Sequence, residues 1–364
     1  MHLQSLSLTN FRNLTNKSLE FTQEFTCITG ENGSGKTSIL EAIYYLGHAR
    51  SFRTQQLQRI AQYGQSNFVL HAKLIDQYGL QQSIGIERQL SGEYCTKIST
   101  DANKTSSDLA ALLPILLIHP NSYHLLDQGA KLRRQFIDWG LFHVEPSFLS
   151  LWKRLNRILK QRNVLLREGS GQYSVLAPWD SEFIYISNEI NKLRAGYLEQ
   201  LIPLIKQILE KMTQLNDLHI SYQQGWNKEE SLDDILQANY LKDFERGYTY
   251  HGVHRADLSL KIGKHPVDEV LSRGQQKLLV IAMRLAQGLL LKELTGKNCI
   301  YLLDDITAEL DEKRRDFVIS VLKELDSQVF ITAIDAINLN LPAENTQMFH
   351  VEHGSVYVVS DVIA

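Results

Sequence analysis

The chain has 364 residues, 43% apolar and 22% charged, with a formal net charge of −3. This composition excludes a disordered chain, and the length suits two domains that each bury a core. With so little net charge, any contact with nucleic acid must come from a local cationic patch.

Residues 1 to 29 read as two strands: LQSLSL alternates with period two, a turn is expected over 16–18, and Phe25 to Thr29 form a buried strand. Between them lies Asn10-Phe11-Arg12-Asn13. The apolar run stops at a glycine-rich turn, and Gly30, Gly33, Gly35, Lys36 and Thr37 fill the G-x-x-x-x-G-K-[ST] pattern between a strand and an amphipathic helix. This is a P-loop. Gly33 and Gly35 free the backbone to turn, so that N–H groups and a helix N-terminus converge on one anion. Lys36 supplies a mobile cation for the β- and γ-phosphates, and the Thr37 hydroxyl suits Mg²⁺. Gly30, Glu31, Asn32, Gly33, Ser34, Gly35, Lys36, Thr37 and Ser38 make up the candidate ATP-binding segment. GHARSFR, residues 47–53, then reads as a loop holding Arg50 and Arg53 near the nucleotide.

Residues 68–98 are strand-like, broken at Gly79 and at Ser91-Gly92, and read as an antiparallel meander. The longest apolar run, near 110–118, is cut by Pro114 and falls far short of the roughly 20 residues that a membrane span needs. No signal-peptide pattern opens the chain, so a soluble, cytosolic protein without a membrane partner is expected.

From about Pro120 the periodicity is helical. Pro146 is expected to open a helix that Gly169 closes. Leu151, Leu155, Ile158, Leu159, Leu165 and Leu166 fall on one arc, while Lys153, Arg154, Arg157, Lys160 and Arg167 fall on the other. A charge run of this kind is ordinarily a solvated face. This one has almost no acidic residues to balance it. Arg162 falls within the apolar arc, where a lone guanidinium is costly unless paired or facing a groove. A second helical stretch is expected from about Pro178 to Leu215, kinked or divided at Pro203.

Strand character is expected again near Tyr248, where HGVHRADLSLKI begins; its histidine pair suits structural or phosphate-network roles better than a metal half-site. Ser272 then caps a helix whose exposed N-terminus, with Gly274, is a second anion site. Cys299 to Leu303 form a buried strand ending in Asp304-Asp305, the Walker B position: one carboxylate for Mg²⁺, the next for the attacking water. Cys27, Cys95 and Cys299 lack metal or disulfide spacing and read as buried thiols in a reducing compartment. QVFITAI is the last core strand, and MFHVEHGSVYVV a closing hairpin.

Lys36 and Asp304 must meet across one Mg²⁺, yet about 270 residues separate them, more than a P-loop domain usually spends. The helical middle is therefore an insertion. The expected fold is α/β, a P-loop ATPase head with a mixed sheet, plus a helical second lobe inserted between the P-loop and the helix that Ser272 caps. Residues 1–120 and 246–364 would form the head, and 121–245 the lobe.

GENGSGKTSILEAI, LSRGQQK, YLLDD and TAELD resemble, in that order, the Walker A, signature, Walker B and D-loop motifs of ABC-type ATPase heads of the structural-maintenance-of-chromosomes kind, which implies an ABC-type head with the helical lobe inserted between Walker A and signature. NFRNL, KLRRQFIDWG and HGVHRADL narrow the resemblance to the RecF family of bacterial recombination mediators, over essentially the whole chain. The resemblance implies that Ser272 and Gly274 reach the γ-phosphate in a second subunit, that Asp304 holds Mg²⁺ and that Asp305 positions water. It also implies that Asp311 lies at a dimer seam, that Arg12 contacts nucleotide and that Arg53 links DNA to the site. Asp305 stands where many such heads have Glu, which implies slow hydrolysis. Thr332 stands near the usual switch histidine, and no Q-loop glutamine is evident.

The implied function is an ATP-dependent homodimer on gapped or single-strand/double-strand junction DNA, which works with RecO and RecR to load RecA. The alternative is the motor subunit of a membrane transporter, against which stand the long insertion and Arg273 in place of a glycine. DNA is expected to meet Arg50 and Arg53 of the head and Lys153, Arg157 and Lys160 of the lobe.

Overall fold

The computed structural model describes residues 1–359 apart from 77, 169–172, 214, 216, 337–338 and the side chains of 308 and 309. The chain begins β1 (His2–Thr9), β2 (Lys17–Glu20), β3 (Phe25–Thr29), α1 (Lys36–His48), β4 (Asn67–Ile75), β5 (Gln81–Gln89), β6 (Tyr94–Ile98), β7 (Asp101–Ala102), α2 (Ser106–Leu112) and β8 (Ile115–Ile118). Helices α3 (His124–Asp127), α4 (Ala130–Val144), α5 (Phe148–Glu168) and α6 (Tyr173–Met212) follow, then β9 (Leu218–Gln223), α7 (Leu232–Ala238), α8 (Tyr240–Arg246), β10 (Asp257–Ile262), β11 (His265–Pro266), α9 (Val267–Val270) and α10 (Arg273–Thr295). The last elements are β12 (Ile300–Leu303), α11 (Ile306–Glu309), α12 (Glu312–Glu324), β13 (Gln328–Thr332), β14 (Thr346–Glu352) and β15 (Ser355–Val359).

Two compact units result, Met1–Ser122 with Leu291–Ala364, and Tyr123–Leu290. In the first, a mixed sheet runs β15-β14-β3-β13-β12-β8, parallel except for β15. Strands β3, β13 and β12 are buried at every residue, as strands covered on both faces must be. An antiparallel sheet, β2-β1-β4-β5-β6-β7, contains the expected meander. Ile39, Leu40, Ile43 and Leu46 of α1 share one core with residues of both sheets, Leu70 and Phe330 among them.

Several expectations change. Residues 17–18 pair with β1 as part of β2 instead of turning. The apolar run after Pro114 is β8, an edge strand whose partner β12 lies far along the chain. Cys27 and Cys299 are buried, but Cys95 is exposed, because alternation along β6 turns Thr96 inward and its neighbours outward. Burial pushes the Cys27 thiol up to about 12, which removes it from reactive chemistry.

In the second unit, α5 starts at Phe148, so Pro146 lies in the turn before the helix rather than at its first position. Gly169, expected to close that helix, lies outside the described residues. Helix α6 begins before Pro178 and runs 40 residues through Pro203 without division. A buried row on either side of Pro203, with Leu198, Leu201, Ile205 and Ile208, offsets the lost hydrogen bond, a cost of about 3 kcal/mol.

Strand structure returns at β9, earlier than expected, and β9 pairs with β10 from Asp257↔Gln223 to Ile262↔Leu218. This pairing, with Gln287 Nε2 donating to the Phe136 carbonyl at 2.7 Å, places residues 246–290 in the second unit. The boundaries therefore fall after 122 and 290, where the sequence suggested 120 and 245.

Candidate functional site

Three neighbouring strands, β3, β13 and β12, end side by side in the first unit, and their carboxyl ends carry the P-loop, Thr332 and Asp304-Asp305. A cleft of about 810 Å³ opens there, lined among others by Lys36, Thr37, Asp304, Asp305, Arg12 and Arg53. In open α/β sheets the carboxyl ends of strands are where ligands bind.

The P-loop backbone requires its glycines. Gly30 has φ +143°, and a Cβ there would lie 2.2 Å from the Val351 carbonyl oxygen of β14. Ser34 O accepts from the Gly354 N–H at 2.9 Å and from Asn13 Nδ2 at 3.1 Å, while Asn13 Oδ1 accepts from Ser38 Oγ at 3.1 Å. The loop is thus braced by the C-terminal hairpin and by the NFRN segment. Glu31, Asn32 and Gly33 are exposed at its tip. Lys36 Nζ donates to the carbonyls of Gly30 (2.6 Å) and Glu31 (2.9 Å). Burial lowers the Lys36 pKa, opposed by the carboxylates of Asp305 and Asp304.

Thr37 Oγ1 donates to Asp304 Oδ1 at 2.9 Å, joining residues 267 positions apart. Thr332 Oγ1 donates to the same oxygen at 2.8 Å and accepts from the Asp305 N–H at 2.8 Å. One hydroxyl therefore ties both acidic positions together where a switch histidine was sought. Burial raises the Asp304 pKa above the ordinary carboxylate value, while the two threonine hydrogen bonds pull it down. A half-buried carboxylate beside a hydroxyl fits a hard divalent cation. Asp305 takes a left-handed backbone at φ 55°, a strain that functional positions often hold.

Glu41, one turn beyond Thr37, is fully buried and was missed in the sequence. Its carboxylate accepts from Arg12 Nε at 2.8 Å and from Arg12 Nη2, from Ser51 Oγ, and from Arg53 Nη1 at 3.3 Å. Arg12, itself at φ 54°, also donates to the Arg59 carbonyl. Glu41 thus organises Arg12 and Arg53, two of the three arginines expected near the nucleotide. An acidic residue in the helix after the P-loop was the available signal. Tyr63, fully exposed at the cleft rim, carried none.

The remaining candidates lie elsewhere. Arg50 is exposed just beyond α1. Asp311 caps α12, accepting from the Arg314 N–H at 3.0 Å. In the second unit Ser272 caps α10: its Oγ accepts from the Gln275 N–H at 3.3 Å, and Gln275 Oε1 accepts from the Ser272 N–H at 3.0 Å, a reciprocal capping box. Ser272, Arg273 and Gly274 are all exposed. Lys153, Arg157 and Lys160 are exposed along α5, whereas Arg154 pairs with Glu182 at 3.0 Å. Among the described residues, no cluster of His, Cys, Asp and Glu has the form of a metal site, and no helix is long and apolar enough to cross a membrane.

The chain is similar to known proteins over nearly its whole length. A family model described as RecF/RecN/SMC N terminal domain matches residues 2–356. The DNA replication and repair protein RecF of Pseudomonas paraeruginosa is 42% identical over 359 residues, covering 98% of this chain and 97% of that protein. RecF of Shewanella denitrificans is 42% identical over 361 residues, covering 99% of this chain and 100% of that protein. Among solved structures, the recombination mediator protein RecF-ATP in the RecFOR pathway superposes with a TM-score of 0.87 at 24% identity, covering 99% and 98% of the two chains. An Smc head bound to the C-winged helix domain of ScpA reaches 0.62 at 16% identity, covering 99% and 97%. These relatives lend no support to the transporter-motor alternative. With the order of its motifs, the joined Thr37–Asp304–Thr332 site and this full-length similarity in agreement, the chain belongs to the RecF family.

Proposed function

We propose that the protein is an ATP-switched DNA-binding protein of DNA replication and repair. The observation that carries this reading is the hydrogen-bonded set Thr37, Asp304, Thr332 and Asp305 beside the P-loop. Supporting it, the full-length relatives are named DNA replication and repair proteins, and a protein of the same fold was solved with ATP.

Thr37 and Asp304 would hold Mg²⁺, which when bound neutralises charge on the β- and γ-phosphate oxygens. Lys36 and the P-loop N–H groups bind the phosphates. Asp305 orients the water, and its shorter side chain makes hydrolysis slow. One chain offers one P-loop and one capped α10 N-terminus, so Ser272 and Gly274 serve the nucleotide of a second copy, with Asp311 at the seam. The ATP-bound dimer grips gapped or single-strand/double-strand junction DNA, and with RecO and RecR it promotes RecA loading.

Analytical ultracentrifugation with ATP, ADP and no nucleotide tests the reading. A dimer is expected with ATP alone. Ser272→Arg should stay monomeric while binding ATP as the parent does. An ATP-induced dimer of Ser272→Arg would refute the cross-subunit site.

A further inference from the structure

The segment from Arg246 to Arg255, which overlaps the HGVHRADL motif, holds an arrangement that the nucleotide site leaves unused. Tyr248 and Tyr250 are 39% and 45% exposed and flank Thr249, which is buried. The guanidinium of Arg246 lies 4.6 Å from the Tyr250 ring centre, and that of Arg255 lies 5.3 Å and 5.7 Å from the rings of Tyr248 and Tyr250. Both arginines are exposed.

The backbone between the tyrosines is fixed from beneath. Thr249 donates to Asn163 Oδ1 through its N–H and its hydroxyl, both at 2.8 Å, and its hydroxyl accepts from Arg162 Nη1 at 2.7 Å. The Tyr250 N–H donates to Asp243 Oδ1 at 3.1 Å. Arg162 is itself buried and paired with Asp180 at 2.7 Å and with Asp243 at 3.1 Å. A buried ion network adds little net stability, and here it holds two exposed rings in place. Rings already fixed lose little freedom on binding.

The surroundings are cationic. Lys153, Lys160 and Arg167 recur every seven residues on α5 and so share a face. That stripe ends at the tyrosines, for Gly247, at φ +71°, sits so close to Arg167 that a Cβ would lie 2.7 Å from its Cγ. Glu230, near His251, Glu245, beside Arg246 in the chain, and Glu168, beside Arg167, are acids at the edge, and the buried Asp243 shares Arg162 with Asp180.

We propose that Tyr248 and Tyr250, with Arg246, Arg255 and Arg167, form a stacking platform for single-stranded DNA. A duplex hides its base faces, so exposed tyrosines gain nothing from it, whereas a single strand offers bare bases to the rings and phosphates to the guanidinium groups. The proposal rests on the DNA-binding reading and assigns the single strand to the second unit.

Fluorescence anisotropy of the full chain with ATP tests it, using labelled oligo(dT) of about 20 nucleotides, longer than the roughly 4–16 that one site covers, and a duplex of equal length. Tyr248→Ala with Tyr250→Ala should weaken oligo(dT) binding at least about tenfold and change duplex binding less than about twofold, while the double Phe variant, which keeps both rings, binds as the parent does. Photocrosslinking of bromodeoxyuridine-substituted single strands to the unaltered protein should mark Tyr248 or Tyr250. Undiminished oligo(dT) binding by the alanine variant, an equal loss on duplex, or adducts confined to other residues overturns the platform while leaving the DNA-binding reading intact. A parent chain that binds neither DNA overturns both.

Discussion

Thr332 shows how much of the site depends on residues with no motif of their own. Its hydroxyl bridges the Asp304 carboxylate and the Asp305 N–H, so it sets the orientation of two groups without touching the P-loop. Thr332→Val keeps the shape and removes both bonds. Residues that orient ligands from behind typically cost about 10–100-fold when changed, so hydrolysis measured by phosphate release should fall at least tenfold. ATP affinity by titration should change far less, and an unchanged hydrolysis rate would remove Thr332 from the site. The P-loop and Asp304-Asp305 were legible because their chemistry demands fixed residue types at fixed spacing. Thr332 and Glu41 were not, because a bridging hydroxyl or a buried carboxylate acquires its role only when distant strands or loops are brought beside it.

At the scale of elements, α5 illustrates what periodicity reveals. Of the arcs read from the sequence, Leu151, Leu155, Ile158 and Leu166 are buried with Leu159 and Leu165 half-buried, and Lys153, Arg157, Lys160 and Arg167 are exposed with Arg154 half-buried. Arg162, flagged as costly within the apolar arc, is relieved by Asp180 and Asp243. The acids that relieve it could not be assigned, since one lies in α6 and the other in α8. Replacing Lys153, Arg157 and Lys160 with Gln should weaken DNA binding and flatten its salt dependence by about one unit of slope per lost phosphate contact. An unaltered slope returns α5 to an ordinary solvated face. His254 ties the same region to pH. Burial lowers its pKa from 6.5 to about 4, and its Nε2 lies 3.0 Å from the Thr249 carbonyl, which assigns the proton to Nε2 in the neutral ring. Between those values the unfolded chain binds the proton and the folded chain does not. Stability should therefore be full above about pH 6.5 and fall as pH drops towards 4, by up to roughly 3 kcal/mol. Thermal melts of His254→Gln should lack this part of the acid sensitivity, and a variant melting curve that tracks the parent across that range would contradict it.

For the molecule as a whole, the two-unit organisation followed from one chemical demand, that the P-loop and the Walker B carboxylate share a cation. Its boundaries did not follow so directly. The edge strands β8 and β9 are short apolar or alternating runs whose identity depends on partners elsewhere, and missing β9 left residues 246–290 in the wrong unit. The discontinuous sheet also has a consequence for how the chain is made. Strand β3 has β13 on one side and β14 on the other, and both are translated about 300 residues after it, roughly 15–60 s at usual ribosomal rates of 5–20 residues per second. Every residue of the second unit emerges first. During that interval the apolar strand leading into the P-loop has neither neighbour, so the nascent protein carries an unpaired apolar strand where its nucleotide site will form until β13 and β14 emerge to cover it.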